Sequence, residues 1–482
     1  MILGQSFPQH AAMLAKAGRS TLDDVFRRVL ARRPDAVALI DPPNAVAVTG
    51  AEPRRLTYVQ ADRMVDAVAA RLRRLGLQTD QVVGLQMANT VDAVVTLLGV
   101  LRAGLIAMPL PLLWRQADCV SALSRVGASA LIVSGRIGAV DHCALAMHVA
   151  AEVFQIRQVG GFGPGLADGV IGFDDLYAEG APAVPPDVTR PVNPAAHVAI
   201  ITWDVGAEGP VPVARSHFEL LAAGAAVALE SRVEPNAVIL SSLALPSLAG
   251  LALGVIPWLL VGGSLALHHP FDDQAFLAQC RAEQAATIIV PAALALRLGR
   301  TVELSRRNDT KTLIAAWRAP EQMAASPGWV DPAIGLVDVS VFGESALFAA
   351  RRGDKGAPAP LALGSVTIPR GAADGLQVVE LVRTRAGTIA VRGTQVPRFP
   401  VPLEIDVAAK PAFPVDTDGF ADTGYSCTID PTTQRLSITG SPAGIDRYRG
   451  AQRALMAAEY GGMGEDADAR GVAPRAAVVF SS

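Results

Sequence analysis

Apolar residues recur along this chain with two alternating periods. Leu22, Val25, Phe26 and Leu30 fall on one side of a helix over Thr21 to Arg32, and Ala36-Val-Ala-Leu-Ile40 follows as an apolar run of strand length. A long helix is predicted from Leu56-Thr57-Tyr58 through Leu75. It ends at Gly76, where glycine accepts the positive φ of a C-cap and nearby arginines favour the negative end of the dipole. The rhythm continues with a strand over 81–87, a helix over 90–102, a strand over 105–110, a helix over 117–126 and a strand over 130–133. Apolar strands alternating with amphipathic helices predict crossover units and a mostly parallel sheet.

Five prolines between Pro182 and Pro194 predict a surface connection. The strand–helix rhythm then restarts at 197–202 and returns at 237–240, 286–290 and 336–340. After Gly364 it gives way to the short strands 365–368, 376–382 and 388–392, which predict a small antiparallel unit. The fold class expected is α/β: two doubly wound α/β subdomains with mostly parallel sheets, over 1–190 and 191–363, and a small antiparallel β subdomain over 364–440. The stretch Val238 to Leu267 carries no charge and is long enough to cross a bilayer. Pro246, Gly250, Gly254, Pro257 and the pair Gly262-Gly263 interrupt it, so a buried helix followed by a buried strand is expected, and no transmembrane segment.

With 482 residues the chain exceeds one compact core, and 51% hydrophobic against 18% charged residues excludes the disordered class. The formal charge is −3 and basic clusters such as Arg71-Leu72-Arg73-Arg74 are short, so no nucleic-acid partner is expected. The four cysteines form no CxxC, and His268-His269 has no carboxylate or cysteine at zinc spacing on its N-terminal side. No metal site and a reducing, cytoplasmic location are expected. The first twenty residues have no basic leader followed by an apolar core, so no signal peptide is expected.

Several landmarks resemble the adenylate-forming superfamily of acyl-CoA synthetases, nonribosomal adenylation domains and luciferases. They are Leu56-Thr-Tyr58, Gly76, Asn89, Gly99, the run Arg102 to Pro111, Val290-Pro291, Gly387 to Gly393, Asp418 to Gly424 and Ile438-Thr-Gly440. Their order and spacing cover about residues 20 to 450. The resemblance implies a carboxylic acid attacking the α-phosphate of ATP with Mg²⁺ present, to give an acyl-adenylate that a thiol commonly intercepts. Such chemistry needs backbone donors, hydroxyls, a cationic side chain and a carboxylate for the metal.

The chain departs from the family's pattern at the motifs that would hold the nucleotide. The family's phosphate loop is rich in Ser, Thr and Gly and carries a lysine, whereas residues 203–213 contain no Lys, Arg, Ser or Thr. Aligned on Pro210, Val213, Ser216 and His217, the segment has Val205 and Glu208 where glycines are usual, Gly206 and Ala207 where hydroxyls are usual, and Val211 at the lysine. Gly206 and Gly209 remain candidates for a turn that offers amide donors. Phe342-Gly343-Glu344-Ser345-Ala346 resembles Tyr-Gly-x-Thr-Glu: Phe342 is the candidate for stacking on adenine, Gly343 for the turn and Ser345 for the hydroxyl. Ala346 stands at the metal-binding glutamate, and Glu344 lies two residues from it. Thr423-Gly424-Tyr425 has Tyr425 where an aspartate accepts from the ribose hydroxyls. Ser441 and Gly444 replace an arginine and the hinge residue.

Only 38 residues follow Gly444, too few for the lid that carries the adenylation lysine, so 441–482 is expected to be a truncated remnant and the complete mobile C-terminal domain absent. On the substrate side, Ser247 stands where a histidine is common and Gly250 follows it, within an apolar stretch suited to an acyl pocket. Ser216 and His217 match the family, and both are candidates at the nucleotide or acyl site. A packing role at a helix start is the alternative for His217.

The resulting expectation is an AMP-dependent synthetase/ligase-like protein, non-catalytic or strongly impaired, with no catalytic residue assigned. ATP and Mg²⁺ are implied by ancestry, while the residues that would hold them are replaced. The expected ligand is a small carboxylate or acyl molecule. Two other readings stand beside it: a divergent ligase completed by a separate lid protein, and a scaffold whose protein partner covers the face left by the missing lid.

Overall fold

The computed structural model describes residues 18–178, 188, 193–206, 209–299, 309–329, 331, 333–353, 355–370, 374–401, 410–433 and 435–442. Three sheets build it. The first runs, edge to edge, Gly209–Ser216, Val198–Gly206, Ile106–Pro109, Val82–Gln86, Ala130–Ser134, Gln158–Phe162 and Ile171–Gly172, all parallel except the first pair. The second has eight strands in the order Ala346–Arg351, Gly335–Phe342, Thr312–Trp317, Thr287–Pro291, Val238–Ser241, Ser264–Leu267, Val37–Ile40 and Arg55–Thr57, with antiparallel pairing only at its two ends. The third is antiparallel throughout its printed pairings and draws its six strands from 361–440. The expected α/β class with a small antiparallel unit is what the chain forms.

The period-2 alternation of the strands decides which core each residue enters. In the first sheet Val83, Leu85 and Ile132 face one core, while Val82, Leu131 and Val133 face another. In the second sheet Ile239, Ile289 and Ile314 join that same first core, and Leu240, Ile288, Val290 and Leu313 face a third. The shared core also takes residues of the helices Leu22–Arg32, Tyr58–Arg74, Val91–Arg102 and His217–Glu230. These helices therefore lie between the two sheets, and helices such as Gln116–Val126 and Asp273–Ala282 cover the outer faces. Both large sheets are buried on two sides, which explains why their strands read as continuous apolar runs.

The boundary predicted near residue 190 separates stretches of chain but not sheets. Val37–Ile40 and Arg55–Thr57, from the N-terminal stretch, complete the second sheet, while Val198–Gly206 and Gly209–Ser216 complete the first. The charge-free stretch 238–267 forms a buried strand, a helix built from Leu248–Gly250, Leu251–Val255 and Ile256–Val261, and a second buried strand. No helix among the described residues is long and apolar enough to cross a membrane. Most of the proline-rich connection expected between Pro182 and Pro194 lies outside the described residues, as do Ala207, Glu208, Gly444 and the 443–482 remnant.

Candidate functional site

The segment expected to form a phosphate-gripping loop is largely strand. Trp203 pairs with Pro212, Asp204 with Val211, Val205 with Pro210 and Gly206 with Gly209, in an antiparallel ladder. The β-branched residues Val205, Val211 and Val213 suit that conformation, and Pro210 and Pro212 bring no N–H to offer an anion. The Pro210 carbonyl accepts from Arg125 Nη1 at 2.5 Å. Trp203 is buried and meets Trp114 edge-on, their ring centroids 5.5 Å apart.

Alternation along Val198–Gly206 puts Thr202 and Asp204 on one face, toward the turn at 342–346. The Asp204 carboxylate accepts from the Glu344 amide at 2.9 Å and the Val205 amide at 2.7 Å. Gly343 sits over it with φ +53°, and a Cβ there would lie 2.7 Å from both carboxylate oxygens, so conformation and space both require glycine. Glu344 points inward: its carboxylate accepts from Thr202 Oγ1 at 2.7 Å and from the Leu248 amide at 2.8 Å, and lies 3.6 Å from Arg215 Nη1. Arg215 is 1% exposed; its Nη1 donates to Thr202 Oγ1 at 3.2 Å and its Nη2 donates to the Glu344 carbonyl. One buried ion pair thus ties the hairpin, the 342–346 turn and the start of the helix at Leu248.

Burial opposes both charges of this pair. It pushes the Glu344 carboxyl up to about 7 against the pull of Arg215, and it lowers the affinity of the Arg215 guanidinium for its proton. Burial also raises Asp204. Glu219, in the next turn of chain, is pushed up to about 7 by burial against its bonds to Ser216.

The other candidates divide into three groups. Phe342 and Tyr425 are both buried and pack edge-to-face, with centroids 5.3 Å apart and planes at 77°. Ser345 closes the turn below them, its Oγ donating to the Phe342 carbonyl at 2.6 Å, and Ala346 is fully buried. Ser216 caps the helix His217–Glu230 through a reciprocal box with Glu219, and His217 Nδ1 accepts from the Leu22 amide at 3.3 Å, at the start of another helix. Ser247 caps the helix at Leu248, accepting from the Gly250 amide at 3.1 Å, and also accepts from Arg318 Nη2 at 3.1 Å. A Cβ on Gly250 would overlap the Ala244 carbonyl, so the backbones meet there.

The structure therefore gathers Phe342, Gly343, Ser345 and Tyr425 at one place, with the hairpin against Gly343, and puts Ser247 and Gly250 beside Glu344 through the Leu248 amide. His217 instead serves the helix start at Leu22. Sequence reasoning did not single out Thr202, Asp204, Arg215 or Glu219. Polar side chains two apart in an apolar strand, and a lone arginine within Val213-Ala214-Arg215, are the signals that could have found the first three.

Residues 26–329 match the family model described as AMP-binding enzyme. The chain belongs to the AMP-binding enzyme family. Among curated members it is 28% identical over 268 residues to the 2-hydroxy-7-methoxy-5-methyl-1-naphthoate–CoA ligase of Streptomyces carzinostaticus, covering 54% of this chain and 46% of that one. It is 30% identical over 116 residues to the beauvericin nonribosomal cyclodepsipeptide synthetase of Gibberella fujikuroi, covering 24% of this chain and 3% of that one. The chain thus spans less than half the length of these AMP-binding relatives. Among solved structures, apo MbtA of Mycobacterium smegmatis superposes with a TM-score of 0.69 at 21% identity, over 91% of this chain and 80% of that one. The inhibitor-bound N-terminal domain of FACL13 from Mycobacterium tuberculosis gives 0.64 at 16% identity, over 88% of this chain and 100% of that one. At these identities the structures establish the shared AMP-binding fold.

Proposed function

We propose that this member of the AMP-binding family is non-catalytic, or strongly impaired, and binds a small carboxylate or acyl molecule without activating it. The observation that carries the reading is the buried edge-to-face pair of Phe342 and Tyr425. By resemblance, one ring belongs against an adenine and the other stands where a ribose-binding carboxylate is usual; here each ring is the other's neighbour.

The remaining residues fit ATP and magnesium poorly. Glu344, the nearest carboxylate to the position of Ala346, is committed to Thr202, the Leu248 amide and Arg215. Among the described residues no group of three or more His, Cys, Asp or Glu is arranged to hold a metal ion. Residues 203–213 bring two prolines and no cationic side chain of their own where a phosphate would be gripped. A cytoplasmic location accords with four free, buried thiols.

The test is substrate-dependent exchange of pyrophosphate into ATP, measured with purified protein over a panel of aliphatic and aromatic carboxylic acids. No exchange above a no-protein control is expected. Turnover on the order of one per second, within the ordinary enzyme range, would overturn the proposal.

A further inference from the structure

A pocket of about 180 Å³ opens at the amino edge of the eight-stranded sheet. Thr287 and Thr312 pair side by side as the first residues of two parallel strands, and alternation turns both toward the face where Ile289 and Ile314 enter the shared core. The chain leaving the helix His217–Glu230 supplies Arg232 and Glu234, and Lys311 and Arg351 complete the polar lining. Arg351 ends the strand that Ala346 begins, so at about 3.3 Å per residue the pocket lies about 17 Å along it from the 342–346 turn. The Phe342–Tyr425 pair is at the opposite edge of the sheet.

Three cations and one carboxylate line this pocket. Lys311 Nζ donates to both Glu234 oxygens at 2.8 Å, which leaves the guanidinium groups of Arg232 and Arg351. Glu230 stands outside the lining, its carboxylate accepting from the Arg351 amide at 2.9 Å. Arg351 Nη2 donates to the Ser231 carbonyl at 3.0 Å and to Thr312 Oγ1 at 3.2 Å, while its Nε is buried with no hydrogen-bond partner among the described residues. The Arg232 side chain is exposed and makes no hydrogen bond or ion pair among the described residues. Burial, and after it the nearby Arg232 charge, lowers the affinity of Arg351 for its proton. Two like charges held side by side at a polar hollow are stabilised by an anion between them. The volume falls below the roughly 300–1,000 Å³ of small-molecule clefts, so the hollow suits an ion or a single functional group.

We infer that this pocket is a binding site for a phosphate-class oxyanion, free or as the monoester of a small molecule, clamped between the Arg232 and Arg351 guanidinium groups with the Thr287 hydroxyl as a further donor. A guanidinium presents parallel N–H donors that match two oxygens of such an anion, and a pair of them supplies the charge a dianion needs. The site does not depend on whether the protein activates a carboxylate.

The test is phosphorus NMR of inorganic phosphate and of glycerol 3-phosphate titrated with the intact protein at constant ionic strength. Saturable line broadening is expected with at least one probe; inorganic phosphate alone identifies the free ion, glycerol 3-phosphate alone the monoester, and both the phosphate group itself. Arg232→Gln should weaken binding about tenfold or more, while Arg28→Gln, which removes an exposed arginine elsewhere, should leave it unchanged. Arg232→Gly is the second variant: φ at this position is +51°, which suits glycine, so a loss of binding is read without a loss of folding. No saturable broadening with either probe, an equal effect of Arg28→Gln, or undiminished binding to Arg232→Gln and Arg232→Gly overturns the assignment. Phosphate held at the 203–213 hairpin instead would give that last result.

Discussion

The ring of Tyr425, on a strand of the small antiparallel sheet, packs edge-to-face with the ring of Phe342, at the end of a strand in the large sheet, their centroids 5.3 Å apart. Both rings are buried, and Ala346, Leu361 and Val391 belong to the same cluster. The contact joins two sheets that share no strand. A double-mutant cycle of Phe342→Leu and Tyr425→Leu should give a coupling of about 0.5–1.5 kcal/mol in urea unfolding. Additivity would mean that the two rings stabilise their own sheets independently.

Arg215 and Glu344 form an ion pair that neither partner can leave cheaply. Arg215→Met strands the carboxylate, and a loss of about 3–5 kcal/mol is expected. Arg215→Met combined with Glu344→Gln should recover a large part of that loss, because no uncompensated charge is then buried. Denaturant midpoints of the two variants check this; equal midpoints would remove Arg215 as the partner that matters.

The pH dependence of stability follows from the same carboxyl. Glu344 titrates near its ordinary value of 4.5 in the unfolded chain and near about 7 when folded. Between those values the native state holds the proton that the unfolded state has lost, so stability falls as pH rises through this window. Glu219, raised the same way, adds to the slope. Urea midpoints measured from pH 4 to pH 8 should decline in the native protein and decline less in Glu344→Gln. An unchanged slope in the variant would remove Glu344 as a source.

Gly343→Ala should cost about 1–3 kcal/mol, since alanine would adopt a left-handed φ with its Cβ against the Asp204 carboxylate. Gly353→Ala is the control, because nothing lies within 4 Å of a Cβ there and φ is not in the left-handed range. Thermal melting of the two variants side by side checks the difference.

Much of the fold was legible because local chemistry and global packing agree. Thr21 with Asp24, and Thr57 with Gln60, form the capping boxes that begin two of the predicted helices, and Gly76 takes the positive φ expected after the second. The doubly apolar strands followed from sheets covered on both faces. The hairpin at 203–213 was not legible, because the resemblance places a phosphate loop there, and a polar–apolar alternation as short as Thr202, Trp203 and Asp204 does not by itself specify a strand. Nor was the Arg215–Glu344 pair, whose members lie 129 residues apart. Periodicity assigns a residue to a face; it does not say which distant chain will cover that face.

The exchange of strands between the two large sheets has a consequence for how the protein can be divided. A fragment ending near residue 190 would carry Val37–Ile40 and Arg55–Thr57 without their partner Ser264–Leu267, and its own sheet would end at Ile106–Pro109 with an open apolar edge. The complementary fragment would present Ser264–Leu267 and Val198–Gly206 equally bare. Neither half is a folding unit, and the pairings that close the structure must wait for sequence synthesised more than 200 residues after the first strand. A nascent chain of this protein carries exposed strand edges until its middle has emerged, which makes early synthesis, rather than the finished molecule, its period of greatest exposure to aggregation.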